Sequence, residues 1–227
     1  KIVRTVWPVM LTYVAIAAPC GMIMAQTGME PWMVFALSST FVTGSGQFMI
    51  CNLWLAGVPA ASIVASVAAI SSRFALYSAS IAPHLRGASK RQTLAVAATL
   101  TEEAYGISLA KLIEGEDWGP RESFVLNAIL IATWAVSCTT GAIVGAVVDV
   151  PTAIAGFVCT SLFICLLFSQ RLSRGNVVAA GLAAVSVAIC KFWGWTNIAV
   201  PASVLVGVVT ALACDVLAEG RGARDAR

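Results

Sequence analysis

The sequence is short of charge. Lys, Arg, Asp and Glu together make up 11% of its 227 residues, against about 25% in soluble domains. With 59% apolar residues beside them, there is too little polar surface to clothe a soluble fold. Histidine is almost missing: its one copy, His84, follows Pro83 at a segment end beside a basic loop and reads as an exposed loop residue. A lone histidine outside the apolar runs leaves no nucleophile–base pair for an intramembrane hydrolase. Zinc-type spacing is absent too. The seven cysteines (Cys20, Cys51, Cys138, Cys159, Cys165, Cys190, Cys214) all fall in or at the ends of apolar runs. An odd count in such places reads as buried thiols, not as a disulfide framework or metal site. Neither a metal nor a cofactor is called for. A net charge of +3, carried in loops and tails, gives no reason to invoke nucleic acid.

What is present is a succession of long apolar runs. A hydrocarbon core of about 30 Å needs roughly 20 helical residues, and candidate spans lie at about 7–27, 31–56, 58–82, 92–113, 123–148, 152–169, 176–193 and 197–217. The fold class expected is an all-α polytopic membrane protein, a bundle of seven or eight transmembrane helices with some broken near the midplane. It forms one transport domain over 1–218, followed by a short basic cytoplasmic tail at 219–227. The first run lacks a small-residue cleavage site and is expected to be retained. Trp118, Trp193 and Trp195 mark span ends, where interfacial aromatics belong.

Basic residues suggest an orientation. With the N-terminus inside an eight-span arrangement, Lys1, Arg4, Lys111, Arg121, Arg171, Arg174, Arg221, Arg224 and Arg227 fall on the inner side. Arg86, Lys90, Arg91 and Lys191 fall outside. Both termini are therefore expected in the cytoplasm. The basic loop at 86–91 conflicts with that count, and a re-entrant early segment, giving seven spans, would remove the conflict.

Two places look unfit for uninterrupted helix. Pro19-Cys20-Gly21 joins a residue without a backbone donor to one that relaxes the chain. It is expected either to break the first helix, as a hinge, or to kink it. Thr43-Gly44-Ser45-Gly46-Gln47 places two glycines, two hydroxyls and an amide in mid-span. Broken helices within lipid occur where they line a cavity or are buried in protein, and their freed backbone groups become ligand contacts. Close helix packing on small residues is the alternative for both runs. For Gly141 and Gly145 in the fifth span, packing is the preferred reading, and Asp149 marks the end of that span.

The third span carries a buried charge, Arg73. At about 100° per residue, Ser62, Ser66, Arg73, Tyr77 and Ser80 share a sector of roughly 60°, with Val64, Ala68, Ala75 and Ala79 opposite. Snorkelling of Arg73 to an interface is the competing account. The fourth span carries Glu102 and Glu103, which at that depth must be paired, protonated or wetted. Gln92, Thr99, Glu103, Gly106 and Ala110 align within about 40° on an uninterrupted helix, while Glu102 sits about 100° away. The economical assignment pairs Glu102 with Arg73 and leaves Glu103 as a protonatable pathway carboxylate. A purely structural ion pair is the alternative.

These segments resemble the AzlC-type branched-chain amino acid permeases, over nearly the whole length. The resemblance is carried by Ala18-Pro19-Cys20-Gly21, by Phe41-Val42-Thr43-Gly44-Ser45-Gly46-Gln47-Phe48, by Ser72 to Leu85 and by Leu100-Thr101-Glu102-Glu103-Ala104-Tyr105. Arg73, Tyr77, Pro83, Gln47 and Glu103 match the family pattern. Ser71 stands where Asn is usual, Phe74 where His is usual, and Glu102 where Asp is usual. The resemblance implies export of valine, leucine, isoleucine or methionine from the bacterial cytoplasm, working with a small AzlD-type membrane subunit.

Residues and resemblance together give a secondary transporter, not an enzyme, in the bacterial cytoplasmic membrane. It is expected to export a small hydrophobic amino acid by alternating access, coupled to protons. Substrate contacts are expected at Gly44, Ser45, Gly46, Gln47, Arg73 and Tyr77, proton coupling at Glu102 and Glu103, and a hinge at Pro19 and Gly21. A channel or a structural subunit of a membrane complex is the competing class, with an intramembrane enzyme behind it.

Overall fold

The computed structural model describes residues 2–85, 87–114, 118–147 and 174–194, together with isolated positions between 157 and 210. The described elements are helical: α1 (Ile2–Gln26), α2 (Pro31–Thr40), α3 (Gly44–Leu55), α4 (Ala60–Ser71), α5 (Arg73–Ile81), a 3-10 turn (Ala82–His84), α6 (Lys90–Ala98), α7 (Glu102–Ile113), α8 (Pro120–Val147) and α9 (Arg174–Phe192). Large apolar side chains point outwards all along them. Trp7, Leu11, Val64, Leu76, Leu94, Val136, Val147 and Phe192 are among the most exposed. A helix that is apolar on its outer as well as its inner face belongs in lipid. This is an all-helical membrane protein.

Among the described residues, three helical stretches are long and apolar enough to cross a bilayer: Ile2–Gln26, Ala60–His84 and Pro120–Val147. They correspond to the expected spans 7–27, 58–82 and 123–148. The expected spans 31–56 and 92–113 are each made of two short helices, α2 with α3 and α6 with α7. α9 occupies the seventh expected span. The sixth and eighth, Asp149 and the 219–227 tail lie largely or wholly outside the described residues.

The chain divides into two compact units, one of residues 1–55 and 71–159, the other of residues 56–70 and 160–227. The first is organised on the crossing of α1 and α8. α1 buries Val6, Tyr13, Ala17, Cys20, Gly21 and Met24 on one stripe. α8 offers Leu126, Leu130, Trp134, Cys138, Gly141 and Ala142 at helical spacing. Their backbones nearly touch: a Cβ built on Gly21 would lie 1.8 Å from the Cys138 carbonyl oxygen, and one on Gly141 would lie 2.0 Å from that of Ala18. Only glycine permits this approach, and small residues replace hydrophobic driving force as the means of association in lipid.

That crossing decides between the two readings of Pro19 to Gly21 in favour of packing. α1 runs unbroken through Pro19, Cys20 and Gly21, so there is no helix break there. Proline is accommodated within a packed membrane helix, and Gly21 is small because Cys138 lies against it. The expected packing role of Gly141 and Gly145 is what is found, with Gly145 set against Met22.

A break is present, but it falls at 41–43, just before most of the run expected to carry it: Gly44 to Gln47 are helical and form the first turn of α3. α2 stops at Thr40, and Phe41 leaves helical geometry at φ −103°, ψ 89°. Thr43 N–H then donates to Phe41 C=O at 2.9 Å in a three-residue turn. Thr43 restarts the chain as a cap, its Oγ1 accepting from Gly46 N–H at 3.2 Å. A second break, not foreseen, separates α6 from α7. Thr99 and Leu100 are not in helix, and Thr101 caps α7 by accepting from Ala104 N–H at 3.1 Å. The 92–113 segment is therefore two helices, and the face proposed to align Gln92 and Thr99 with Glu103 does not exist. The third span is divided into α4, ending at Ser71, and α5, starting at Arg73, but Ser72 between them keeps helical geometry (φ −57°, ψ −26°), so 60–84 is one helical stretch.

In the second unit, Ile63, Ser66 and Val67 are the buried residues of α4, and Ser66 Oγ returns to the Ser62 carbonyl at 2.7 Å. α9 buries Ala179 and turns Val178, Leu182, Val185 and Ile189 outwards.

Candidate functional site

The two breaks bring two helix N-termini, those of α3 and α7, to the same side chain. Arg73, the first residue of α5, donates through Nη2 to Ser45 Oγ at 2.7 Å and to Glu102 Oε1. Ser45 lies in the first turn of α3 and Glu102 in the first turn of α7. The carboxylate is favoured there by the N-terminal dipole as well as by the guanidinium. The pair is not sealed: the Arg73 and Glu102 side chains remain 26% and 32% exposed. Arg73 Nε is buried without a hydrogen-bond partner, so the guanidinium has donor capacity in reserve. The snorkelling account of Arg73 is thus set aside by its partners.

Aromatic rings line the next turn of α5. Phe74 meets Tyr77 edge-on at 5.8 Å, and Tyr77 stacks on Tyr105 of α7 at 4.6 Å with ring planes 15° apart. Tyr105 Oη lies 3.0 Å from Ser80 Oγ. Behind them Ile81, Leu85, Val96 and Leu100 form a buried apolar cluster. A charged pair therefore sits beside an apolar, aromatic wall.

Glu103 faces elsewhere. Tyr13 of α1, 6% exposed, donates from its hydroxyl to Glu103 Oε2 at 2.6 Å and lies 3.2 Å from Thr101 Oγ1. The Tyr13 ring meets Trp134 of α8 edge-on at 5.3 Å. Trp134 Nε1–H donates to Gln47 Oε1 at 3.0 Å, and Ser38 Oγ donates to the same oxygen at 3.1 Å. Gln47 Nε2 in turn donates to the Phe41 carbonyl at 2.7 Å, a group freed by the end of α2. One chain of contacts thus runs from the carboxylate to the other break.

The sequence-derived residues fall into two groups. Ser45, Arg73, Tyr77 and Glu102 come together, with Glu103 on the adjoining residue of α7 but turned to α1. Gln47 is fully buried, and its amide is spent within the protein in this conformation. Gly44 and Gly46 are covered: a Cβ on Gly44 would meet the Trp134 ring at 2.7 Å, and one on Gly46 would meet Thr43 and Phe41. Pro19 and Gly21 belong to the α1–α8 crossing. His84 is exposed, with Nδ1 3.3 Å from the Ser80 carbonyl.

Sequence reasoning missed Tyr13, Trp134, Thr101 and Asn127. Asn127 is completely buried in α8 and holds the second break: Nδ2 donates to Val96 C=O at 3.1 Å and to Thr99 Oγ1 at 3.0 Å. An amide inside the apolar stretch of α8 was the available signal. Tyr13 was signalled by rarity, being one of three tyrosines, in the middle of an apolar run. Among the described residues, no three His, Cys, Asp or Glu side chains gather to hold a metal ion.

Comparison with known proteins gives the family of the chain. The profile described as "AzlC protein" matches residues 8–148, more than half of the chain. Escherichia coli (strain K12) has a relative, the inner membrane protein YgaZ, that is 25% identical over 214 residues, covering 89% of this chain and 83% of that protein. No solved structure matches the chain.

Proposed function

The chain belongs to the AzlC family of membrane proteins, whose role is in transport, and from that premise we propose that it exports branched-chain or other small hydrophobic amino acids. The export crosses the bacterial cytoplasmic membrane by alternating access and runs in exchange for protons. The observation that carries this reading is the Arg73–Glu102 pair at two converging helix N-termini. An amino acid is a zwitterion, and an opposed, partly exposed ion pair is its electrostatic complement.

The substrate carboxylate would take Arg73 from Glu102, meeting Ser45 and the positive end of α3. The Glu102 carboxylate so released would face the substrate ammonium. The Phe74, Tyr77 and Tyr105 rings would receive an apolar side chain, which such a wall distinguishes from a neighbour by only about 1–3 kcal/mol per methylene. Gln47, Gly44 and Gly46 would shape the first break as it opens. Glu103, whose hydrogen-bond partner is a neutral hydroxyl and not a cation, would carry the proton. A small AzlD-type subunit is the expected partner in the membrane.

Counterflow of radiolabelled valine, leucine, isoleucine and methionine in proteoliposomes tests the proposal. Saturable exchange of at least one is expected. Exchange with none of them, with or without a partner subunit, would remove the transporter reading and favour a channel or structural role.

A further inference from the structure

We propose that Tyr13 is a positioning residue that makes substrate affinity depend on the protonation of Glu103, by moving Trp134 against Gln47. The inference rests on the transport reading for its biological meaning, but its geometry stands on its own. Among the described residues, Tyr13 is the one in contact with both ends of the relevant chain. Its hydroxyl serves Glu103 at 2.6 Å, and its ring meets the Trp134 edge at 5.3 Å. Trp134 holds Gln47, and Gln47 holds the Phe41 carbonyl at the end of α2.

The hydroxyl has two acceptors within reach, and this gives the device two states. When Glu103 is ionised it can only accept, so Tyr13 O–H must point at Oε2. When Glu103 takes a proton from the aqueous pathway, the neutral acid becomes a donor toward the Tyr13 oxygen. The Tyr13 proton then turns to Thr101 Oγ1, 3.2 Å away. Thr101 Oγ1 is the cap of α7, already accepting from Ala104 N–H. Protonation therefore changes the cap at one break directly, and it reverses the hydrogen bond that holds the Tyr13 ring against Trp134 at the other.

The neighbouring charges do not bypass this route. Glu103 meets Tyr13 from α1 and is felt by Tyr77 from α5, with the charge of Glu102 beside it on its own helix. Trp134, the ring from α8, does not ionise. Arg73 is committed to Glu102 and Ser45, and Tyr77 to the stack on Tyr105. Among the described residues, Tyr13 alone joins Glu103 to the first break. A coupling of sites needs an element with two arrangements that both sites bias, and the tyrosine hydroxyl is that element.

Two readouts test it on the full chain. In proteoliposomes, the KM for counterflow is expected to change about fivefold or more across the pH range in which the protein stays folded, a usual size for linked sites. Tyr13→Phe, which keeps the ring, should retain counterflow with a KM that no longer depends on pH. A pH dependence surviving in Tyr13→Phe would overturn the proposal. The second readout needs no transport: the emission of Trp134, taken as the difference from the same chain carrying Trp134→Phe, should shift with pH. The shift should vanish in Tyr13→Phe and equally in Glu103→Gln. A shift that persists in either, or is absent from the unsubstituted chain, would overturn the proposal. An unsubstituted chain with the emission shift but no counterflow would overturn the transport reading alone.

Discussion

Arg73 and Glu102, 29 positions apart in the chain, form an ion pair that joins the first residue of α5 to the first residue of α7. The relationship is possible because the 92–113 segment is broken. An unbroken helix would present Glu102 one residue-step round from Glu103 on a continuous apolar cylinder. With α7 starting at Glu102, its free N-terminal end meets Arg73 end-on, and the α3 N-terminus arrives at the same guanidinium through Ser45.

Removing one partner leaves the other charge uncompensated. Arg73→Ala should lower stability by about 2–3 kcal/mol, less than the about 3–5 kcal/mol of a fully buried pair, because these side chains are 26% and 32% exposed. Replacing both at once, as Arg73→Met with Glu102→Leu, should return most of that stability while abolishing transport. Thermal unfolding in detergent, paired with counterflow, separates the two effects.

Glu103→Gln should fold normally, since an amide oxygen still accepts from Tyr13. It should lose proton-driven accumulation while keeping exchange of substrate for substrate. Uptake driven by an imposed pH gradient, compared with counterflow at equal pH, checks this. Unchanged gradient-driven uptake would take the proton role from Glu103.

Asn127→Leu removes both donors that brace the second break, leaving the Val96 carbonyl and Thr99 hydroxyl without them. The cost should be about 1–3 kcal/mol, the usual penalty for stranding a buried polar group. Faster amide exchange should appear first at the α6 end and the α7 start.

Gly21→Ala and Gly141→Ala should each damage folding, because the added carbon meets backbone and not a yielding side-chain tip. Overpacking typically costs about 1–3 kcal/mol, and these positions should reach or exceed the upper figure. Gly106→Ala, where a Cβ meets nothing within 4 Å, is the control and should be tolerated.

The sequence made some of this legible for physical reasons. Composition alone requires a helical membrane protein, and buried charges of opposite sign must find each other, so the Arg73–Glu102 pairing could be anticipated. A break near Thr43 could be anticipated from the glycines and polar amide that follow it, but its place was misjudged: Gly44, Gly46 and Gln47 lie in the first turn of α3, and the chain leaves helix at 41–43. The second was hidden: Thr99, Leu100 and Thr101 are ordinary in a membrane helix, and only tertiary contacts with Asn127 and Tyr13 reveal that they are not in one. Pro19 and Gly21 could not be decided from the sequence, because residues that permit a break equally permit two backbones to touch. Which side of Gln47 would be used was not readable either, since it depends on Trp134, 87 positions away.

The central claim is that the Arg73–Glu102 pair receives a zwitterion. Competition against leucine counterflow by leucine, by its decarboxylated amine and by 4-methylpentanoate measures this most directly, since the three share a side chain and differ in charge. The account predicts that leucine alone competes strongly, both half-molecules being weaker by about tenfold or more, the loss that each missing charge-assisted contact of about 1.5–3 kcal/mol implies. Equal competition by either half-molecule would contradict it.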